Sequence, residues 1–193
     1  SIEGQSVLFN LKSHIPKSII YKKIGNISNT DTNKTALALM LGGGKNEQNG
    51  FKHFLNAANG GDIVVLSGKS SLNHRYTHDL WKMASEHNIK VDSVESISLM
   101  NKYASNERFV LEKIKNAEAI FFTGGDQSKY IARIQNTKLH KLLLDKINEG
   151  VAIAGTSAGL AIMGEYIFSA NYGGIISNSA LNDPMSKRIS IKS

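Results

Sequence analysis

The sequence predicts an α/β domain built on a doubly wound, mostly parallel sheet with helices on both faces. Three observations predict it. Apolar runs recur and end in glycine, as in Ala36–Leu41 before Gly42-Gly43-Gly44 and Ala119–Thr123 before Gly124-Gly125. Segments with helical spacing lie between those runs, and the two patterns alternate along the chain, as strands joined by crossover helices do.

Taken in order, residues 1–35 hold weak periodicity and a polar run, Gly25–Thr35, with many turn formers and little to bury. They read as an N-terminal extension packed loosely before the sheet, with residues 36–193 forming one domain. Ala36–Leu41 reads as a buried first core strand entering a tight loop. Phe51, Phe54, Leu55 and Ala58 lie at helical spacing within 48–59, and Gly60-Gly61 stops that helix before the strand Ile63-Val64-Val65-Leu66. A helix near 76–87, a strand near 90–97, a helix near 106–116 and the strand Ala119–Thr123 continue the alternation. Helical spacing covers 127–149 with a break near Asn136, and Gly150 leads into Val151-Ala152-Ile153-Ala154. Ligands in such sheets sit at the carboxyl ends of the strands, so chemistry is sought in the glycine loops there.

Composition narrows the function classes. At 193 residues and 21.0 kDa the chain suits one domain with a full core. A hydrophobic fraction of 41%, a charged fraction of 20% and only 2 prolines describe a packed globular chain. Its apolar runs fall far short of the roughly 18–20 residues of a membrane helix, so no membrane partner is expected. The net charge of +7 comes from lysines and arginines scattered among neutral residues, without a basic stripe or interleaved aromatics, so nucleic acid is not an expected partner. The absence of cysteine excludes disulfides, thiolate metal sites and thiol catalysis. Ser1, in place of an initiator methionine, reads as processing or trimming.

The segment richest in chemistry is Val151 to Gly164, in which a buried strand runs into Gly155-Thr156-Ser157-Ala158-Gly159 and then an apolar, helix-forming stretch. That is the context of a nucleophile elbow, with Ser157 at its tip. A sharp strand-to-helix turn brings backbone segments together, and glycines two positions either side leave room for that approach. The Ala158 N–H would then lie at a helix start, where an unpaired donor favours a developing oxyanion. Thr123-Gly124-Gly125-Asp126-Gln127 ends another apolar strand at the same sheet edge, and Gly125 is the choice for the second donor.

Weaker signals carry less. Gly42-Gly43-Gly44-Lys45 lacks a following Ser or Thr, and Gly68-Lys69-Ser70 has Ile63 where a phosphate loop needs its leading glycine, so no nucleotide cofactor is expected. His74 and His78 stand at i and i+4, but Arg75 occupies the position of a zinc protease's glutamate and no third ligand follows, so no metal is expected. Phe121, Phe122 and Trp81 read as core.

On four segments together the sequence resembles the cyanophycinase and dipeptidase E group of serine peptidases, relatives of the class I glutamine amidotransferase-like, flavodoxin-like fold. They are Leu41–Gly44, Gly60–Leu66, Ala117–Gln127 and Ala154–Gly159, and the resemblance covers about residues 36–190. It implies a peptidase acting on β-aspartyl linkages of the cyanophycin type or on aspartyl dipeptides, with Ser157 as nucleophile. By the same resemblance Gln127 matches a substrate-contacting glutamine, with Gly124 and Asp126 beside it. The histidine base of this group lies in a segment of Asp-x-His-Phe type that follows the region matching Arg188–Ser193. Residues 36–193 are therefore read as the nucleophile-bearing part of a hydrolytic domain whose base is supplied by a further segment or a second polypeptide. A catalytically inactive binding or scaffold protein of the same fold is the alternative. The reading allows a homo-oligomer, and it sets a secreted or periplasmic location as the expectation, with a cytoplasmic one as alternative.

Overall fold

The computed structural model describes residues 15–44, 47–68 and 75–193. Its strands are β1 (Ile19–Gly25), β2 (Ala38–Leu41), β3 (Asp62–Ser67), β4 (Ser93–Leu99), β5 (Ala119–Phe122) and β6 (Ala152–Thr156). They form one sheet in the order β1-β4-β3-β5-β6-β2, parallel except for β1. The helices are α1 (Gln48–Ala57), α2 (Arg75–Glu86), α3 (Arg108–Lys115), α4 (Gln127–Ile134) and α5 (Lys138–Asn148).

Strands β3 to β6 are buried along their whole length because helices cover both faces. Alternate side chains turn to opposite faces. Val64, Leu66, Ile120, Phe122 and Ile153 meet Val110, Ile114, Ile134 and Leu143 of α3, α4 and α5. On the other face Ile63, Val65, Phe121 and Ala154 meet Phe51, Phe54 and Leu80 of α1 and α2. Phe121 anchors that second layer, edge-on to Phe51 at 5.3 Å and to Tyr76 at 4.8 Å between ring centroids. Trp81 packs, partly buried, against the same layer.

Three sequence expectations need correction. Residues 19–25, read within a loosely packed extension, are an antiparallel edge strand paired with β4 from Ile19↔Leu99 to Gly25↔Ser93. Its polar side chains are used in place: the Tyr21 hydroxyl donates to Glu95 at 2.5 Å, and Lys113 pairs with the same carboxylate at 3.0 Å. The run read as a buried core strand is instead β2, at the opposite edge. Leu39 and Leu41 pack against the α1 layer while Met40, on the other face, is 63% exposed. Lastly, the apolar stretch after Ser157 forms only a single turn, α6 (Ala158–Ala161), because Ile162 closes it and Gly164 follows. A small antiparallel pair, β7 (Ile167–Phe168) with β8 (Ile191–Lys192), and α7 (Ser177–Asn182) complete the chain.

The break expected near Asn136 is present. Asn136 has φ +59°, and Thr137 then caps α5 by accepting from the His140 N–H at 3.2 Å. Among the described residues no helix is long and apolar enough to cross a membrane.

Candidate active site

At the end of β6 the backbone turns sharply at Ser157, which has φ +53° and ψ −119°, a region that residues with a Cβ avoid. Neighbouring backbone holds it there. The Ser157 N–H donates to the Leu41 carbonyl at 3.0 Å, and the Thr156 hydroxyl donates to the Gly42 carbonyl at 3.3 Å. Thr156 and Ala158 are buried whereas Ser157 is exposed, so the turn lifts one hydroxyl to the surface.

The two flanking glycines are required by close approach. A Cβ at Gly159 would lie 2.6 Å from the Phe122 carbonyl carbon and 2.8 Å from the Thr123 oxygen, and one at Gly155 would lie 2.6 Å from Met163 Sδ. The elbow is thus seated directly on the end of β5, which brings the second glycine loop to it. A Cβ at Gly124 would stand 3.3 Å from the Ser157 Cβ. The main-chain N–H groups of Gly124, Gly125 and Ala158 donate to no acceptor among the described residues. An exposed hydroxyl beside unpaired main-chain donors suits attack on a carbonyl whose oxygen gains charge.

The sequence profile of Peptidase family S51 matches residues 38–183. The chain belongs to Peptidase family S51. The chain is 26% identical to the cyanophycinase of Geminocystis herdmanii (strain PCC 6308) over 155 residues, covering 75% of this chain and 55% of that protein. It is also 26% identical to the cyanophycinase of Synechococcus elongatus over 156 residues, covering 76% of this chain and 47% of that one. The chain therefore spans about half the length of these curated relatives. The crystal structure of a peptidase from an acI-B1 Actinobacterium aligns with a TM-score of 0.48 at 20% identity, covering 62% of this chain and 52% of that one.

The mostly parallel α/β sheet is of the class expected for a member of S51. The remaining sequence-derived site residues, Asp126 and Gln127, have hydrogen-bonding occupations of their own. Asp126 is the N-cap of α4: its carboxylate accepts from the Ser128 N–H at 3.0 Å and the Ser128 hydroxyl at 2.6 Å. Those bonds, the hydroxyl's first, hold its pKa below the usual carboxylate value. Gln127 opens α4, and its Nε2 donates to the Phe168 carbonyl at 3.4 Å, tying α4 to β7.

No described histidine hydrogen-bonds to Ser157. His53 and His87 are exposed, His78 pairs with Lys22, and His140 Nδ1 accepts from the Asn136 N–H at 3.4 Å. His14, His74, Lys45, Lys69 and Ser70 lie outside the described residues. Among the described residues no three His, Asp or Glu side chains cluster in a way that would hold a metal ion. Beside the site, Met40, Ile153, Ile134, Leu144, Ile147 and Ile167 line an apolar groove of about 820 Å³. Sequence reasoning missed two side chains of α4, Tyr130 and Arg133, that reach the same strand ends. Their one signal was an i, i+3 pair on the helix after the Gly124-Gly125 loop.

Proposed function

We propose that this S51 chain is a cyanophycinase-like serine peptidase that hydrolyses β-aspartyl linkages of the cyanophycin type or aspartyl dipeptides through Ser157. The observation that carries the reading is the strained elbow that presents an exposed Ser157 beside the unpaired N–H groups of Gly124, Gly125 and Ala158. Ser157 Oγ bonds to the scissile carbonyl carbon as a base takes the hydroxyl proton, and the oxygen's charge is received by the Gly125 and Ala158 N–H groups. The base returns that proton to the leaving amine as the C–N bond breaks, and water then hydrolyses the acyl ester. Gly124, Asp126 and Gln127 frame the substrate side.

A serine hydroxyl is a weak nucleophile without a base. With no described histidine bonded to Ser157, the reading assigns the base to polypeptide outside these residues. The open apolar groove along β2 supports a covering segment there, since an unpartnered edge and face favour association.

The test is reaction of the whole preparation, with any associated chain, with a serine-directed fluorophosphonate, followed by peptide mass spectrometry. Labelling at Ser157 that is lost in Ser157→Ala supports the reading, and labelling elsewhere or none at all refutes it. That no described histidine bonds to Ser157 favours one second reading, a binding or scaffold protein of the same fold. That reading predicts no β-aspartyl hydrolysis and no rate difference between wild type and Ser157→Ala.

A further inference from the structure

The ends of β3, β4 and β5 are tied together by α4, and the tie passes through the loop that faces Ser157. Tyr130 is 1% exposed, and its hydroxyl lies 2.9 Å from both the Leu66 and the Thr123 carbonyl oxygens. The Leu66 oxygen also accepts the Thr123 N–H at 3.0 Å, so Tyr130 closes the β3–β5 ladder at its last rung. The Thr123 hydroxyl stands 3.2 Å from the Tyr130 oxygen and 3.3 Å from the Gly124 carbonyl oxygen. One turn later, Arg133 Nη1 donates to the Leu99 carbonyl at 2.6 Å and to the Gly68 carbonyl.

The consequence for the site follows from peptide planarity. In a trans peptide the C=O and N–H point in opposite directions. A bond that fixes the Thr123 carbonyl oxygen therefore also fixes the direction of the Gly124 N–H, one of the unpaired donors beside Ser157. A Cβ at Gly159 would stand 2.8 Å from that same Thr123 oxygen, so the Tyr130 hydroxyl and the elbow lie close to one peptide unit of the loop. Burial pushes the Tyr130 phenol up to about 12, so it remains a donor across the working pH range.

We infer that Tyr130 is a positioning residue, its hydroxyl holding the Thr123–Gly124 peptide and, through it, the start of the loop that carries the Gly125 N–H of the oxyanion site. The inference rests on Ser157 being the nucleophile. Tyr130→Phe keeps the ring against Gly68 and removes only the hydroxyl. In the intact preparation it should lower kcat for a β-aspartyl dipeptide by about 10- to 100-fold, the scale of a small misplacement of catalytic groups. KM should change less than about twofold, because the loss falls on a transition-state contact. Backbone amide exchange over residues 123–126 should quicken, a readout that needs no turnover. Thr123→Val should move both quantities the same way by less, and it stands in if Tyr130→Phe does not fold. Wild-type kcat and exchange in Tyr130→Phe, with Ser157→Ala inactive, would overturn the inference alone. Full activity in Ser157→Ala would overturn the nucleophile and, with it, this role. In a preparation without turnover, unchanged exchange overturns the inference.

Discussion

Gly124 faces Ser157 across the carboxyl edge of the sheet, where an added Cβ would stand 3.3 Å from the serine Cβ and 3.8 Å from its Oγ. That gap is the space beside the hydroxyl into which an acyl group must come. Gly124→Ala narrows it by one methyl group while meeting no backbone atom closer than 3.6 Å, so the fold should tolerate the change. Stability should fall by less than about 1–3 kcal/mol, the usual range for overpacking. Fluorophosphonate labelling of Ser157 should slow by at least about tenfold, since a near-attack geometry is lost. Equal labelling rates in the two proteins would show that the reagent approaches from another side.

The strain at Ser157 predicts a stability difference between two inactive variants. Alanine keeps a Cβ at φ +53°, whereas glycine enters that region without penalty. Relief of strain of about 1–3 kcal/mol outweighs the roughly 0.5–1 kcal/mol of added unfolded-chain entropy that glycine brings. Ser157→Gly should therefore be about 1 kcal/mol more stable than Ser157→Ala by urea denaturation. Identical midpoints would mean that the elbow stores no strain.

Asp126 has two candidate roles, helix cap and substrate contact, and two substitutions separate them. Asp126→Ala removes the cap of α4 and should cost about 1 kcal/mol, while Asp126→Asn preserves it to within a few tenths. Its lowered pKa sets the sign with pH. The stabilisation is present above the unfolded value of about 3.9 and is lost as pH falls through the folded one. Asparagine with wild-type KM would assign the carboxylate to capping alone; a raised KM would make it a substrate contact as well.

The parts of the fold that the sequence made legible are those buried on both sides. β3, β5 and β6 read as apolar runs because neither face meets water. The elbow was legible for a different reason: Gly155 and Gly159 sit where backbone and sulfur leave no room for a Cβ, so spacing alone carries the geometry. An edge strand leaves a fainter trace. In β1 the polar residues Tyr21, Lys22 and Lys23 mask the pairing, and Tyr21 is satisfied by Glu95, far away in sequence. In β2 an apolar run says nothing about which neighbour is missing, so the exposure of Met40 could not be foreseen. Tyr130 was hidden because an aromatic on an amphipathic helix looks like core until its hydroxyl is placed against strand carbonyls.

Glu118 lies at the far end of the sheet from Ser157, and its burial makes stability depend on pH in the direction opposite to Asp126. Its Oε2 accepts the Asp62 N–H at 2.7 Å, and the carboxylate of buried Asp62 is close by. Burial first, and the charges of Asp62 and Asp31 after it, raise the Glu118 pKa above its ordinary value, against the lowering effect of the Asp62 N–H bond. An acid with a raised folded pKa binds its proton more tightly when folded. Its stabilisation is then complete below the unfolded value of about 4.3 and disappears as pH rises through the folded value. Glu118→Gln keeps an oxygen to accept the Asp62 N–H and removes the titration. Urea midpoints across a pH series should therefore show the variant gaining on wild type as pH rises from about 4 toward neutrality. Parallel profiles for the two proteins would mean that Glu118 ionises in the folded chain as easily as in the unfolded one.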